Sequence, residues 1–115
     1  MDNLATRYRD GEIDQSEFVA ERRRLDRRAV NEAYTKADLL WFDLKALRAR
    51  VSRGQVYTKQ HPKDRRSARL LDHLEGKESD LAEQYEREFK RYTTALESYL
   101  ASVRKCRVLG VEEEA

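Results

Sequence analysis

Apolar residues recur at spacings of three and four through the last third of the chain. They form a stripe made of Leu81, Tyr85, Phe89, Tyr92, Leu96, Tyr99, Val103 and Cys106. A repeat close to seven residues keeps one face of an α-helix turned toward a neighbouring helix. An earlier segment carries a matching repeat in Val30, Ala33, Ala37, Leu40, Leu44, Leu47 and Val51. The two stripes predict an all-α fold: a long antiparallel, coiled-coil-like helical hairpin with a short N-terminal helix closing its open end.

Local signals place the helix boundaries within one predicted helical domain, residues 1–115. Asp14 and Glu17 have the spacing of a capping box, which starts a helix, and Gly54 can take the left-handed conformation that ends one. Pro62 is tolerated in a first helical turn and marks the next start. We therefore expect helices over 3–9, 15–53 and 63–109, a basic loop over 54–62 and an acidic tail over 110–115.

The turn before the second helix resembles two known patterns. The segment from Asp10 to Phe18 resembles the second half of an EF-hand calcium loop, with glycine, isoleucine and glutamate at its sixth, eighth and twelfth positions. Thr6 and Tyr8 occupy the first and third positions, where carboxylates or amides are needed, so too few oxygen ligands remain for calcium. The segment also resembles the helix, Gly-x-Ile turn, Glu-Phe helix hairpin of short bacterial modules. That resemblance implies a glycine that permits the turn, and an Ile13 and Phe18 that hold the two helices together.

The composition fits long, solvent-exposed helices. Charged residues make up 40% of the chain and hydrophobic residues 39%, with four glycines and one proline, too few for the turns of a many-stranded sheet. No apolar run approaches the ~20 residues of a membrane span, and no apolar leader follows a basic start. A single cysteine cannot form an internal disulfide. We expect a soluble, intracellular, cytoplasmic protein.

Positive charge is concentrated around the predicted loop. Residues 45–69 carry nine basic side chains and one acid, a net charge of +8, whereas the whole chain has a net charge of +2. The candidate polyanion-binding residues are Arg48, Arg50, Arg53, Lys59, Lys63, Arg65, Arg66 and Arg69. Clustered basic side chains bind phosphates without sequence specificity, so RNA or DNA is one candidate partner and an acidic protein surface is another. A solvated loop whose charges keep it soluble would show the same pattern.

The run from Leu39 to Phe42 is the second candidate surface. Four consecutive apolar residues cover the whole circumference of a helix, whereas a contact with one other helix needs only Leu40 and Trp41. In the register that the loop implies, Trp41 faces Gly76, whose missing side chain would make room for the indole. Leu39 and Phe42 are then left without cover within the chain. We therefore expect Leu39, Trp41 and Phe42 to bind a protein partner or a second copy of the chain.

Catalytic patterns are missing from the sequence. His61, His73 and Cys106 lie too far apart along the predicted helices for a Cys–His pair, and the histidine spacing matches no common metal motif. No glycine-rich phosphate loop or Gly-x-Ser-x-Gly turn occurs. We therefore expect no enzyme activity, no cofactor and no metal. The expected function is that of a helical adaptor or structural subunit. The alternatives are a nucleic-acid-binding accessory protein and a regulatory or inhibitor protein that binds an acidic partner surface.

Overall fold

The computed structural model describes residues 3–112, and three helices account for 87% of them. Helix α1 spans Leu4–Arg9, α2 spans Gln15–Gln60 and α3 spans Arg65–Val108. Helices α2 and α3 pack against each other as a hairpin, and the described residues contain no strand. The predicted all-α hairpin with a short N-terminal helix is therefore confirmed. Residues 113–115 of the predicted acidic tail lie outside the described range.

Contacts between residues divide the chain into two compact units. Of the described residues, the terminal unit comprises 3–33 and 91–112, which include α1, the start of α2 and the end of α3. The central unit comprises Tyr34–Lys90, which include the rest of α2, the turn and the start of α3. Each unit has buried apolar residues of its own: Leu4, Ile13, Val19 and Cys106 in the terminal unit, and Ala37, Leu44, Val51 and Leu74 in the central unit.

In the terminal unit, the connection from α1 to α2 follows the sequence signals. Gly11 has a φ of 79°, a left-handed conformation that closes α1, and the Glu12 N–H donates to the Arg7 carbonyl at 2.9 Å. Asp14 accepts a hydrogen bond from the Glu17 backbone N–H at 2.8 Å, and the Glu17 carboxylate accepts one from the Asp14 N–H at 3.4 Å. This is the predicted capping box, and the predicted start of α2 is confirmed.

Side chains on either side of this turn also pack as the resemblance to a helical hairpin with a Gly-x-Ile turn implied. Ile13 is buried, and the Phe18 ring lies against the Tyr8 ring with their centroids 4.8 Å apart. Tilted aromatic pairs at this separation attract each other beyond the burial of their surface. The short helix α1 is thereby held to the first turn of α2.

The end of α2 differs from the prediction. The helix does not stop at Gly54 but continues to Gln60, so most of the predicted loop over 54–62 is helical. Gly54 serves the packing instead, because a Cβ at this residue would lie only 3.2 Å from Leu71 Cδ1. Helix α2 ends before Pro62, since proline disfavours a helical conformation in the residue that precedes it.

The longer α2 changes which residues face each other in the central unit. Trp41 packs against Tyr85 with ring centroids 5.4 Å apart, which centres the turn near Lys63. The prediction that Trp41 faces Gly76 is therefore wrong. A Cβ built on Gly76 would meet no atom within 4 Å, so this glycine makes no room for a neighbour.

Seven of the eight residues in the predicted α3 stripe are buried or partly buried, and polar residues share the covered face with them. Spacings of three and four connect residues that are all buried or partly buried: Leu71, Leu74, Glu78, Leu81, Tyr85, Glu88, Tyr92, Ala95, Tyr99, Ser102 and Cys106. Phe89 belonged to the predicted stripe but is 48% exposed, because Glu88 takes the covered position beside it. The predicted α2 repeat from Val30 to Val51 is buried or partly buried at every position.

Candidate interaction surfaces

One face of α2 in the central unit exposes large apolar side chains to solvent. Leu39 is 63% exposed and Phe42 is 71% exposed, although both lie in the middle of a helix. Residues three apart on a helix share a face, so the two side chains form one patch. Trp41 is 37% exposed and lies against α3 instead. The structure therefore brings Leu39 and Phe42 together and separates Trp41 from them.

The exposed face is longer than the sequence reasoning suggested. From Leu39 and Phe42, spacings of four and three continue along α2 through further residues that are all exposed: Ala46, Ala49, Arg53 and Val56. Five of the six residues are apolar, and their spacing is that of a helix-packing stripe. The spacing of this second stripe is present in the sequence, but its small alanines make it less hydrophobic than the repeat that faces α3. We name these six residues the outer stripe.

Trp41 is surrounded by one aromatic ring and two cations. Besides Tyr85, the ring has Lys45 Nζ at 5.9 Å and the Arg48 guanidinium at 5.8 Å from its centroid. Cations over an aromatic face are attracted by the quadrupole of the ring. Arg48 Nε also lies 3.6 Å from a Glu78 carboxylate oxygen. Arg48 therefore belongs to the contact between α2 and α3 as much as to the basic surface.

The eight predicted polyanion-binding residues are all exposed. Within the described residues, Arg48 is the only one of the eight that forms an ion pair. The longer α2 spreads them out, however, because Arg50 lies ~15 Å before the end of the helix. Five residues remain near the turn, and we name them the turn cations: Lys59, Lys63, Arg65, Arg66 and Arg69.

Hydrogen bonds to Asp64 order the turn. Its carboxylate accepts from the Ser67 backbone N–H at 3.1 Å, from the Ser67 hydroxyl at 2.8 Å and from the Tyr57 hydroxyl at 3.3 Å. These donors, the Ser67 N–H foremost, hold the pKa of the Asp64 carboxyl below its ordinary value. The Tyr57 ring also stacks on His61 with centroids 4.2 Å apart. The single acid of residues 45–69 is thus engaged as the N-cap of α3.

A cavity of about 340 Å³ lies near the end of α2 in the central unit. Its lining includes Gly54, Leu71 and Leu74, together with Thr58. The Thr58 hydroxyl is buried and has no hydrogen-bond partner among the described residues. An unpaired buried hydroxyl costs stability, so Thr58 is a weak point in a mainly apolar contact.

The terminal unit buries polar groups that the apolar repeats did not predict. Arg23 is 6% exposed, and its guanidinium donates to the Glu112 carbonyl at 2.6 Å. Asp26 is 7% exposed, accepts a hydrogen bond from the Ser102 hydroxyl and lies 3.4 Å from the Arg22 guanidinium. Arg23 and Asp26 continue the spacing of the α2 repeat toward the N-terminus. Their spacing indicates that they are buried, but a repeat defined by apolar residues does not include charged ones.

Within the part of the chain that the structure describes, a cysteine thiol and possible metal-ligand clusters are the remaining candidates for chemistry. The buried Cys106 thiol donates to the Val19 carbonyl at a sulfur–oxygen distance of 3.4 Å. Within residues 3–112, no group of three or more His, Cys, Asp or Glu side chains is placed to hold a metal ion. None of the helices in that range combines the length and the apolarity that crossing a membrane requires.

No protein-family model matches the chain, and no curated protein and no solved structure is significantly similar to it. A functional proposal therefore depends on the geometry and charge of the described residues.

Proposed function

We propose that this chain is a non-enzymatic helical adaptor or structural subunit that binds a protein through the outer stripe. The observation that supports this function is the exposure of Leu39 and Phe42, 63% and 71%, on a helix whose opposite face is buried. Contiguous exposed apolar residues usually mark a contact with another molecule. Covering them would be favourable by roughly 25 cal/mol for each Å² of apolar surface removed from water.

The supporting helix also favours binding because it is already ordered. Ala37, Leu44 and Val51 are buried on the covered face of the same part of α2. A partner would therefore meet residues at set helical spacings and would not have to order the backbone. Preorganisation of this kind lowers the entropic cost of association.

A charge-insertion variant tests this function. Leu39→Glu combined with Phe42→Glu places two carboxylates on the outer stripe, and Ser79→Glu combined with Gln84→Glu places two at exposed positions of α3 as a control. Circular dichroism should show the same helical content for both variants. In affinity capture from the native source, we expect the wild type and the control to recover the same partners, and the outer-stripe variant to lose them. Equal recovery by both variants would contradict the proposal.

Polyanion binding by the turn cations is a second candidate function. In its favour, these five residues are exposed, form no ion pair among the described residues, and lie beside an acid that is already engaged by Ser67. Exposed basic side chains that form no ion pair attract phosphates on RNA or DNA, or the carboxylates of an acidic protein that the chain would regulate.

Salt dependence distinguishes these partners. Binding to mixed-sequence RNA or DNA, followed by fluorescence anisotropy between about 50 and about 200 mM salt, should weaken by roughly 0.9 log units per phosphate contact for each tenfold rise in salt. Neutralising Lys63, Arg65 and Arg66 to glutamine should reduce that slope, whereas neutralising Lys77, Arg87 and Lys90 should not. Absence of binding at low salt excludes nucleic acid, and binding to polyglutamate would then favour an acidic protein.

A further inference from the structure

Charged residues flank the outer stripe, and their sign changes along the helix. Asp38 and Asp43 flank its N-terminal half, whereas Arg50 and Lys59 flank its C-terminal half. Arg53, within the stripe, adds to the positive half. None of these five side chains forms an ion pair within residues 3–112. The stripe is therefore apolar at five of its six positions, with acidic residues beside its N-terminal part, basic residues beside its C-terminal part, and Lys45 beside its centre.

We propose that the outer stripe pairs with the outer stripe of a second copy of this chain, in antiparallel orientation. This inference rests on the proposed function, because it names the partner of the same surface. A two-fold axis between Ala46 and Ala49 places Leu39 opposite Val56 of the second copy. A surface that is complementary to itself under such an axis forms a closed dimer.

Antiparallel pairing matches the charges. With the axis between Ala46 and Ala49, residues on the same flank of the two stripes approach each other. Asp43 then faces Arg50 of the second copy, and Asp38 faces Lys59. Because the axis repeats each contact, the four unpaired side chains of each copy all gain a partner of opposite sign.

Parallel pairing would bring like charges together. In a parallel pair, a residue on one flank of the stripe meets the residue five positions later on the partner helix. Asp38 would meet Asp43, and Lys45 would meet Arg50. Like charges across an interface are repulsive and suppress the wrong arrangement. The charge pattern therefore selects the antiparallel orientation.

The apolar residues fit the same arrangement. Ala46 and Ala49 lie at its centre, where small side chains allow two helices to approach toward the short end of the ~8–10 Å range of interaxial distances. Phe42 faces Arg53 of the second copy, and a guanidinium over an aromatic ring is favourable. The stripe extends over only ~25 Å of helix. We therefore expect a dimer that dissociates on dilution.

Sedimentation equilibrium of the full chain from about 1 µM to about 1 mM tests the pairing. We expect the wild type to dimerise, and Leu39→Glu with Phe42→Glu to remain monomeric. Asp43→Arg should weaken the dimer about tenfold, because it opposes Arg50 twice in the symmetric pair. Adding Arg50→Asp should restore the dimer to within about threefold. Asp72→Arg, which makes the same charge change on an exposed part of α3, is the control and should leave the dimer unchanged.

Each other outcome is decisive. A wild type that stays monomeric throughout, or a dimer that survives the outer-stripe variant, overturns the pairing. A dimer that tightens with Asp43→Arg shows the parallel orientation, since the new arginine would then meet Asp38. If the chain is monomeric and the outer-stripe variant still loses its captured partners, the proposed function stands with a different partner. If the capture is also unaffected, both proposals fail.

Discussion

In the central unit, the covered residues of α2 include Ala37, Leu44 and Val51, each at most 6% exposed. In the terminal unit, the same spacing places Arg23 and Asp26 at covered positions, with nearly the same exposure. The first set is stabilised by leaving water, at roughly 25 cal/mol per Å² of apolar surface. The second set requires hydrogen bonds to offset the desolvation of its charges.

This difference separates two contributions to the fold. Apolar side chains tolerate small shifts of one helix along another, whereas the bond from Ser102 to Asp26 can form in one alignment alone. Buried polar contacts that are fully satisfied are therefore suited to specifying an arrangement. We expect apolar burial to stabilise both units, and the buried polar contacts of the terminal unit to add specificity of alignment there. The following substitutions break or sharpen this comparison.

The largest effect is expected at Leu44. It is 1% exposed, so Leu44→Ala removes a fully buried side chain and should lower the free energy of unfolding by about 3 kcal/mol. Leu39→Ala makes the same chemical change on the exposed face and should cost less than about 0.5 kcal/mol. Urea unfolding followed by circular dichroism measures both. Similar losses for the two variants would show that the central unit does not depend on its buried leucine.

A smaller effect is expected in the terminal unit. Asp26→Leu leaves the buried Ser102 hydroxyl without its acceptor and should cost about 2 kcal/mol. Adding Ser102→Ala removes the orphaned hydroxyl and should recover most of that loss, because replacing both partners by apolar groups is close to neutral. A double variant as unstable as Asp26→Leu alone would show that the loss has another origin.

The cavity near the end of α2 offers a stabilising change. Thr58→Val replaces a buried, unpaired hydroxyl by a methyl group and should raise the free energy of unfolding by about 1 kcal/mol. Thr94→Val, at an exposed position of α3, should change it by less than about 0.5 kcal/mol. The same urea titration compares them. No gain at Thr58 would indicate that its hydroxyl is satisfied in solution.

The two helical glycines of the central unit should respond differently to alanine. Gly76→Ala should stabilise by up to about 1 kcal/mol, because alanine favours the helix and its Cβ meets nothing within 4 Å. Gly54→Ala should gain less, since Leu71 must move to admit a Cβ that would lie 3.2 Å from it. Thermal unfolding of the two variants ranks them. An equal or larger gain at Gly54 would show that Leu71 relaxes without cost.

The smallest expected effect is a change in how the stability of the fold depends on acidic pH. Hydrogen bonds lower the pKa of Asp64 in the folded chain, so the ionised carboxylate stabilises the fold above its unfolded pKa of about 4, and this contribution is lost as the pH falls through the folded pKa. Asp64→Asn keeps a capping oxygen but cannot titrate, so its stability should depend less on pH in this range. NMR titration of the Asp64 carboxyl provides the direct check. A pKa at or above the ordinary aspartate value would contradict the observed cap.

Several features of the fold could be read from the sequence because they depend on neighbouring residues. The capping box of Asp14 and Glu17, the turn at Gly11 and the helical repeat of α2 are of this kind. The end of α2 could not be read in the same way. Gly54 has the local preference of a helix terminator, but it lies within α2, where it packs close to Leu71.

The candidate surface was also predicted in part. Exposure of Leu39 and Phe42 followed from the circumference of a helix, which is a local property. The continuation through Ala49 and Val56 became evident only when the structure showed which face of α2 is buried. The basic residues were identified correctly as exposed, but the longer α2 separated Arg50 from the turn cations.

By itself, the sequence determined that this chain forms two long helices joined by a turn, since helical periodicity and capping act over fewer than about ten residues. Only the tertiary structure decided the position of that turn, the pairing of Trp41 with Tyr85, and the burial of Arg23 and Asp26. Those outcomes depend on which distant residues meet, and many alignments of two helices satisfy the same local pattern. The contacts between α2 and α3 choose among them.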